Sequence, residues 1–219
     1  MTLENHQMMT NVNRLKVVVL GGPRVGKSAV VVRYLTRRYI GEYSSTSDFL
    51  YRHNVNIDNV MMEVEILDTS RCEDNGCLYS HIRWGDAFVI VYSVTCKKSF
   101  QEARGLLKQL TDLRLPSYFT TLLLGNKRDL DHAREVCVDE GQQLSLAHGC
   151  QFYEVSAAES PAGAALAFQG LLREARSVQL LRALPIRRKL GVHSVSRVLG
   201  TIFGKNTTKD RKKRPSLSI

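Results

Sequence analysis

Short apolar runs alternate with segments of helical periodicity along the first 180 residues of the chain. The apolar runs are rich in β-branched residues and predict six strands, at residues 14–20, 49–57, 60–67, 87–92, 120–124 and 151–155. Apolar positions at helical spacing predict helices at residues 28–39, 99–113, 138–148 and 161 to about 184. Strands and helices therefore alternate through most of the chain.

The second and third predicted strands are separated only by Asp58 and Asn59, a turn dipeptide, so we expect an antiparallel hairpin. The run at 87–92 is apolar throughout, as is typical of parallel strands buried on both faces. The predicted fold class is α/β: a mostly parallel six-stranded sheet with one antiparallel edge strand and helices on both faces.

With 219 residues and 43% hydrophobic positions, the chain is long enough for one globular domain with a buried core. It has no run of about 18 apolar residues, and its first residues lack a signal-peptide pattern, so we expect a soluble, cytoplasmic protein. We also expect it to be a monomer. The five cysteines and six histidines are scattered along the sequence, which favours reduced thiols and predicts no zinc site.

The net charge of +10 is confined to the end of the sequence. Residues 181–219 hold eleven Lys or Arg against Asp210, whereas residues 1–180 hold 20 basic and 20 acidic residues. This asymmetry indicates a separate basic tail rather than a basic domain. We therefore predict a short flexible N-terminus at 1–12, a folded domain at 13–184, and a basic tail at 185–219 that is disordered or an amphipathic helix.

A glycine-rich segment follows the first predicted strand and opens the first predicted helix, with the spacing of a phosphate-binding loop. Its glycines let the backbone wrap phosphate oxygens, the helix N-terminus adds partial positive charge, Lys27 adds a full one, and Ser28 can ligate Mg²⁺. The predicted nucleotide-binding residues here are Gly21, Gly22, Pro23, Arg24, Val25, Gly26, Lys27, Ser28 and Ala29.

A second segment, containing Asn126, Lys127 and Asp129, follows the strand predicted at 120–124, and ligands of parallel α/β sheets collect at such carboxyl ends. The Asp129 carboxylate can accept hydrogen bonds from guanine N1–H and N2–H₂. Adenine would leave it unpaired, at a cost of several kcal/mol. The segment therefore predicts selectivity for guanine.

These segments, in this order, resemble a small GTPase of the Ras family over roughly residues 15–178. The chain is similar in particular to the non-prenylated branch related to the Ras-related oestrogen-regulated growth inhibitor. The resemblance implies the P-loop GTPase fold and binding of GTP and GDP with Mg²⁺ as cofactor. It also implies a signalling role, through protein effectors and regulators that the sequence does not identify.

The resemblance assigns roles to residues in further loops. Asp68 would reach Mg²⁺ through water, and Thr46 would bind both Mg²⁺ and the γ-phosphate. Tyr39 would pack against the guanine ring, while Ser156 and the backbone N–H of Ala157 would lie at the base, the latter at guanine O6. The implied metal set is therefore Ser28, Thr46 and, through water, Asp68.

The second switch departs from the family pattern at two positions. Arg71 stands where the family has a glycine whose N–H meets the γ-phosphate, and Cys72 stands where it has the glutamine that orients the attacking water. A thiol is a weak donor on a short side chain, so no catalytic residue is assigned and slow hydrolysis is expected. Two functions stay open: a slow GTPase switch, or a GTP-binding, hydrolysis-deficient interaction module.

Other departures affect the loops around the nucleotide. Pro23 has no N–H, and its rigid ring points towards the space that an activating protein's arginine would enter. Arg24 is either an internal cation or a solvated surface side chain. Ala158 replaces the usual lysine of the last guanine motif, and Phe49 replaces an acidic effector-facing residue, so the effectors of Ras itself are not expected.

The sequence ends at Ile219 without the prenylated cysteine common in Ras proteins. Three interpretations of residues 185–219 stay open: an amphipathic basic helix on an anionic membrane, a nuclear import signal at 211–215, and a solvated disordered tail. Nucleic-acid binding is not expected, because the tail lacks interleaved aromatic residues and the remainder of the chain is neutral.

Overall fold

The computed structural model describes residues 13–41, 48–69, 75–114 and 119–183. In these ranges six strands form one sheet in the order β2-β3-β1-β4-β5-β6, with bounds β1 Arg14–Leu20, β2 Phe49–Ile57, β3 Val60–Asp68, β4 Ala87–Ser93, β5 Thr120–Asn126 and β6 Gln151–Glu154. The helices are α1 Lys27–Thr36, α2 Asn75–Trp84, α3 Lys97–Arg114, α4 Val138–His148 and α5 Pro161–Ala183, with a 3₁₀ helix at Arg128–Ala133.

The central strand β1 separates two hydrophobic cores. Val17 and Val19 face one core, which is covered by α1 and α5, while Val18 and Leu20 face the other, which is covered by α2, α3 and α4. Every position of β4 and β5 is buried, because helices cover both faces of the sheet. Each large apolar side chain buried in this way contributes about 1.5–3 kcal/mol of transfer free energy.

β2 is the antiparallel edge strand, and it pairs with β3 through the turn Asp58-Asn59. Both turn residues have positive φ angles, 49° and 63°, as the tight two-residue hairpin requires. All other strand pairs in the described sheet are parallel. The prediction of a mostly parallel six-stranded sheet with one antiparallel edge strand and helices on both faces is confirmed.

Several element boundaries differ from the sequence pattern by one to three residues. The first helix ends at Thr36 rather than at residue 39, because Arg37 adopts the left-handed conformation and returns its N–H to the Arg33 carbonyl. The fifth strand extends through Gly125 and Asn126, because Asn126 still pairs with Ser93. The last strand ends at Glu154, one residue earlier than predicted.

Helix α2 has no counterpart among the predicted elements. Its buried apolar positions, Leu78 and Ile82, are only two and lie one turn apart, so the apolar stripe is too short to stand out in the sequence. The predicted boundaries at residues 12 and 184 lie at the edges of the described ranges and stay predictions. Among the described helices, none combines the length and apolar character needed to span a bilayer.

Candidate nucleotide-binding site

The candidate site lies at the carboxyl edge of the sheet. The loop at residues 21–26 leaves β1, Asp68 ends β3, Asn126 ends β5, and residues 155–158 follow β6. β1 and β4 are neighbours in the sheet, and the chain leaves β1 towards β2 and β3 but leaves β4 towards β5. Such a topological switch point is where open α/β sheets bind ligands.

The loop that follows β1 requires glycine at defined places. Gly26 has a φ of 93°, and a Cβ there would lie 2.4 Å from Nδ2 of Asn126. A Cβ on Gly21 would lie 2.2 Å from the Val91 carbonyl oxygen. The backbone can therefore curve tightly in front of the α1 N-terminus, whose first turn contains no acidic residue.

Lys27 is the cation of this loop. Its side chain is buried, and Nζ donates to the carbonyl oxygens of Gly21 at 2.9 Å and Gly22 at 3.0 Å. The ammonium group is therefore held against the inner side of the loop. A buried cation beside a helix N-terminus makes the loop attractive to a phosphate group.

Asn126 joins the phosphate loop to the loop that follows β6. Its Nδ2 donates to the Val25 carbonyl at 2.9 Å, and its Oδ1 accepts from the Ala157 N–H at 3.2 Å. The side chain is buried, so both hydrogen bonds are shielded from water. The Ala157 N–H, which the resemblance assigns to guanine O6, thus contacts Asn126 in this structure.

Lys127 makes a second connection to the phosphate loop. Its Nζ donates to the Arg24 carbonyl at 2.8 Å, and its backbone is left-handed with a φ of 67°. This conformation ends β5 and starts the 3₁₀ helix that carries Asp129. Asp129 is exposed there, so its carboxylate is accessible to a base.

The loop at residues 156–158 is held by a residue that the sequence did not identify. Arg33, buried on α1, donates through Nε to the Ala157 carbonyl and through Nη2 to the Ala158 carbonyl. Its Nη1 donates to the Arg37 carbonyl at 2.9 Å. Ala158, which lacks the usual lysine side chain, still contributes its carbonyl to this network.

Glu154 is the last residue of β6, directly before the loop at residues 155–158, and is fixed by a bidentate ion pair. Both guanidinium Nη atoms of Arg134 lie 2.9 Å from its carboxylate oxygens, and Arg134 Nε also contacts Asp131 at 2.7 Å. These hydrogen bonds raise the pKa of the Arg134 guanidinium. Arg134 follows the 3₁₀ helix, so these contacts link the end of β6 to that helix through Asp131.

Asp68 at the end of β3 and Ser28 in the first turn of α1 place two oxygen groups near Lys27. Burial raises the pKa of the Asp68 carboxyl, while its hydrogen bond with Ser28 and the charge of Lys27 act in the lowering direction. Asp68 Oδ1 is buried and makes no hydrogen bond within the described part of the chain. An orphaned carboxylate oxygen beside a hydroxyl fits a hydrated Mg²⁺, which prefers such hard oxygen ligands.

Three further predicted site residues, Tyr39, Pro23 and Arg24, lie at the surface. Tyr39 is 48% exposed, and its ring lies 5.7 Å from the guanidinium carbon of Arg33, a cation–π contact. Pro23 and Arg24 are exposed, which favours the surface interpretation of the Arg24 side chain. Thr46, Arg71 and Cys72 lie outside the described residues.

A sequence profile of the Ras family matches residues 16–177, which is most of the chain. The chain belongs to the Ras family. It is 40% identical to the human Ras-related and estrogen-regulated growth inhibitor over 179 residues, which covers 82% of this chain and 90% of that protein. It is 36% identical to the bovine Ras-related and estrogen-regulated growth inhibitor-like protein over 200 residues, with 88% and 97% covered.

A further relative of this Ras-family protein is the Ras-like protein family member 11B of Xenopus tropicalis, which is 37% identical over 182 residues and covers 80% of this chain and 73% of that protein. The described six-stranded sheet and the profile together confirm the predicted P-loop GTPase fold. Arg33 and Arg134 are the functional positions that the motifs missed. The only sequence signal for Arg33 is a charged residue within the apolar stretch of the first helix.

Proposed function

We propose that this chain is a guanine-nucleotide-binding signalling switch of the Ras type that hydrolyses GTP slowly. The observation that carries the proposal is the pair of hydrogen bonds by which Asn126 joins the phosphate loop to the loop at Ala157. The segments for phosphate and base are thereby held together by contacts within the protein. Preorganisation of this kind reduces the entropy cost of binding a ligand.

Selectivity for guanine would come from Asp129. Its exposed carboxylate can accept hydrogen bonds from guanine N1–H and N2–H₂, whereas the neighbouring Asp131 carboxylate is paired with Arg134. Adenine has an acceptor at N1 and no amine at C2. The carboxylate would therefore lose its solvation against adenine without gaining a partner.

The phosphate side would use Lys27, Ser28 and Asp68. Lys27 Nζ would exchange its carbonyl contacts for phosphate oxygens, which carry more negative charge. The Ser28 hydroxyl and, through water, Asp68 would hold Mg²⁺, with Thr46 as the third residue on the basis of the family resemblance. The metal would supply positive charge that bridges and neutralises the phosphates.

Slow hydrolysis follows from the sequence of the second switch. Cys72 stands in place of the glutamine that orients water in the family, and Arg71 stands in place of the glycine. The second candidate function, a GTP-loaded interaction module without turnover, rests on the same two residues. Both candidates require guanine binding and differ only in the rate of hydrolysis.

Guanine binding is tested by exchanging the base-recognition carboxylate. We expect the purified protein to carry GDP or GTP, identified by chromatography after denaturation. We expect Asp129→Asn to lower affinity for guanine nucleotides at least about 100-fold, because it loses the charged acceptor. The same variant should gain affinity for xanthine nucleotides, whose C2 carbonyl can accept from the new amide.

The matched control is Asp139→Asn, which removes an exposed carboxylate from helix α4, outside the candidate site. Its guanine affinity should stay within a few-fold of the wild type. Bound adenine nucleotide, or equal guanine affinity in wild type and Asp129→Asn, would contradict the proposal.

The two candidate functions are separated by single-turnover hydrolysis of bound GTP. A slow switch shows measurable conversion to GDP, and Cys72→Gln raises the rate because the new amide can position water. A module without turnover shows no conversion above spontaneous hydrolysis. If the wild type hydrolyses quickly and Cys72→Gln adds no rate, the assignment of slow turnover to Cys72 is wrong.

The proposed partners are guanine nucleotide and protein effectors and regulators of the Ras type. The proposed location is the cytoplasm, with a peripheral membrane or nuclear pool directed by residues 185–219. Those residues lie outside the described part of the chain, so this part of the proposal rests on charge. The eleven basic residues from 181 onward against Asp210 are its sole support.

A further inference from the structure

Three side chains with metal-binding atoms meet between β2 and α2. Asp48 directly precedes β2, and Cys77 and His81 lie one turn apart on α2. His81 Nε2 lies 3.1 Å from Asp48 Oδ2, and Cys77 Sγ lies 3.8 Å from each ring nitrogen of His81. One ligand atom from each residue lies within 4.8 Å of the other two.

We propose that Asp48, Cys77 and His81 together bind one divalent transition-metal ion of the Zn²⁺ type. The scatter of cysteines and histidines along the sequence predicts no zinc site, and the proposal departs from that prediction. The unpredicted helix α2 is the reason, because it places residues four apart on one face. Asp48 then joins them from a separate element.

The distances are close to those of a tetrahedral site. Zn²⁺ lies about 2.3 Å from thiolate sulfur and about 2.0–2.2 Å from imidazole nitrogen and carboxylate oxygen. At tetrahedral angles these bond lengths place sulfur and nitrogen about 3.6 Å apart, and nitrogen and oxygen about 3.4 Å apart. The structure has 3.8 Å and 3.1 Å for these pairs. The third pair, the Cys77 sulfur and an Asp48 carboxylate oxygen, lies within 4.8 Å, so side-chain rotations would close the site around a metal.

The donor set selects the kind of ion. A thiolate and an imidazole are soft and borderline ligands, which suit Zn²⁺ and Co²⁺, whereas Mg²⁺ and Ca²⁺ prefer oxygen. This cluster is therefore chemically distinct from the Ser28 and Asp68 oxygens of the nucleotide site. With three protein ligands, a fourth position is left for water or another donor.

The partial burial of the ligand side chains is also suitable for a metal site. The His81 side chain is 13% exposed and that of Asp48 is 29% exposed. The cluster is thus shielded enough to strengthen charge interactions and open enough for an ion to enter. In sequence, Asp48 comes after Thr46 and α2 comes after Cys72. A bound metal would therefore join the elements that follow the two switch segments.

The test uses Co²⁺ as a spectroscopic substitute for Zn²⁺ on the full-length protein as purified, after transition metals are removed. We expect one Co²⁺ to bind per chain, with a thiolate charge-transfer absorption and the visible bands of a tetrahedral site. One equivalent of Zn²⁺ should displace it. Cys77→Ser should abolish the charge-transfer absorption, and His81→Gln or Asp48→Asn should weaken binding about tenfold or more.

The matched controls are Cys96→Ser and His132→Gln, which remove a cysteine and a histidine outside the cluster and should leave the titration unchanged. The circular dichroism of each variant checks its fold. Since the three ligands are tested separately, one unfolded variant leaves two others informative. The proposal is overturned if the wild type takes up no Co²⁺ or Zn²⁺. It is equally overturned if the thiolate absorption survives Cys77→Ser, or if His81→Gln and Asp48→Asn both bind as tightly as the wild type.

Discussion

Arg33 positions a loop that is far from it in the sequence. Its guanidinium reaches the carbonyl oxygens of Ala157 and Ala158 across a separation of more than a hundred residues and also contacts the Arg37 carbonyl. Carbonyl oxygens neutralise a buried cation only partially, so the residue is retained by several hydrogen bonds acting together. The loop at residues 156–158 therefore depends on a helix whose other end carries Lys27 and Ser28.

Removal of this side chain should destabilise the fold. We expect Arg33→Ala to lower the free energy of unfolding by about 2–4 kcal/mol, because it leaves buried carbonyl groups without donors. Urea denaturation measures the change. The control Arg38→Ala removes an exposed side chain of the same charge and should cost less than about 0.5 kcal/mol. Equal effects of the two substitutions would contradict the positioning role of Arg33.

Tyr34 gives the stability of the chain a dependence on alkaline pH. Its ring stacks on Phe168 at a centroid distance of 4.3 Å, and burial raises the pKa of its phenol from 10.0 to about 12. The folded state thus holds the phenol proton more tightly than the unfolded chain. The contribution of this proton to the free energy of unfolding is complete below pH 10 and is lost as the pH rises towards 12.

Tyr34→Phe keeps the stacked ring and removes the proton. We therefore expect the variant to lose less stability than the wild type between pH 10 and 12, while the two differ little at pH 7. Urea unfolding at a series of pH values measures this. An unchanged slope in the variant would show that Tyr34 is not the titrating group.

At the scale of elements, the sheet was predictable and its connections were less so. β4 and β5 are apolar or buried at all seven positions, and a hairpin turn of Asp58-Asn59 is a local signal. Helix α2 was not predicted because its apolar stripe is short: Leu78 and Ile82 are buried, and Trp84 packs against the same core. The 3₁₀ helix could not be predicted because its start depends on the left-handed conformation of Lys127. That residue contacts Arg24 in a distant loop.

The candidate site divides in the same way. Its motifs could be recognised in the sequence because the predicted phosphate and base contacts come from short contiguous segments, such as Gly26 with Lys27. The residues that support those segments are far away in the sequence: Arg33 acts on Ala157, and Arg134 acts on Glu154. No local pattern encodes a contact between separate elements. For the same reason the sequence does not show that Cys77 and His81 lie beside Asp48.

Two helix glycines provide a comparison within one chain. A Cβ on Gly141 in α4 would lie 2.5 Å from the Phe152 ring and 2.8 Å from the Tyr92 hydroxyl, whereas a Cβ on Gly105 in α3 would meet nothing within 4 Å. We expect Gly141→Ala to destabilise the protein by about 1–3 kcal/mol through overpacking, despite better helix propensity.

Gly105→Ala serves as the matched control, because it gains helix propensity without a clash. We expect it to stabilise the protein by about 0.5–1 kcal/mol. Thermal unfolding of the two variants beside the wild type measures both changes. Opposite signs are the expected result, and stabilisation by Gly141→Ala would mean that Phe152 moves aside without cost.

At the scale of the whole molecule, charge is the most uneven property of the chain. Residues 1–180 are formally neutral, and the net charge of +10 belongs to residues 181–219. A neutral folded domain and a basic tail would respond to different partners, the domain to nucleotide and the tail to anionic surfaces. Attraction between basic residues and anionic lipid contributes about 1 kcal/mol for each residue near the surface.

This separation of charge leads to an expectation for membrane binding. The full-length chain should sediment with vesicles containing phosphatidylserine and should remain free with neutral phosphatidylcholine vesicles. Deletion of residues 185–219 removes ten of the eleven basic residues beyond 180, so binding should be lost. Raising the salt towards 1 M should release the full-length chain as well, because the Debye length falls to about 3 Å. Bound nucleotide, measured on the same samples, should be unaffected by the deletion. Retained vesicle binding after the deletion would place the membrane contact in the folded domain, where the neutral net charge gives no reason to expect it.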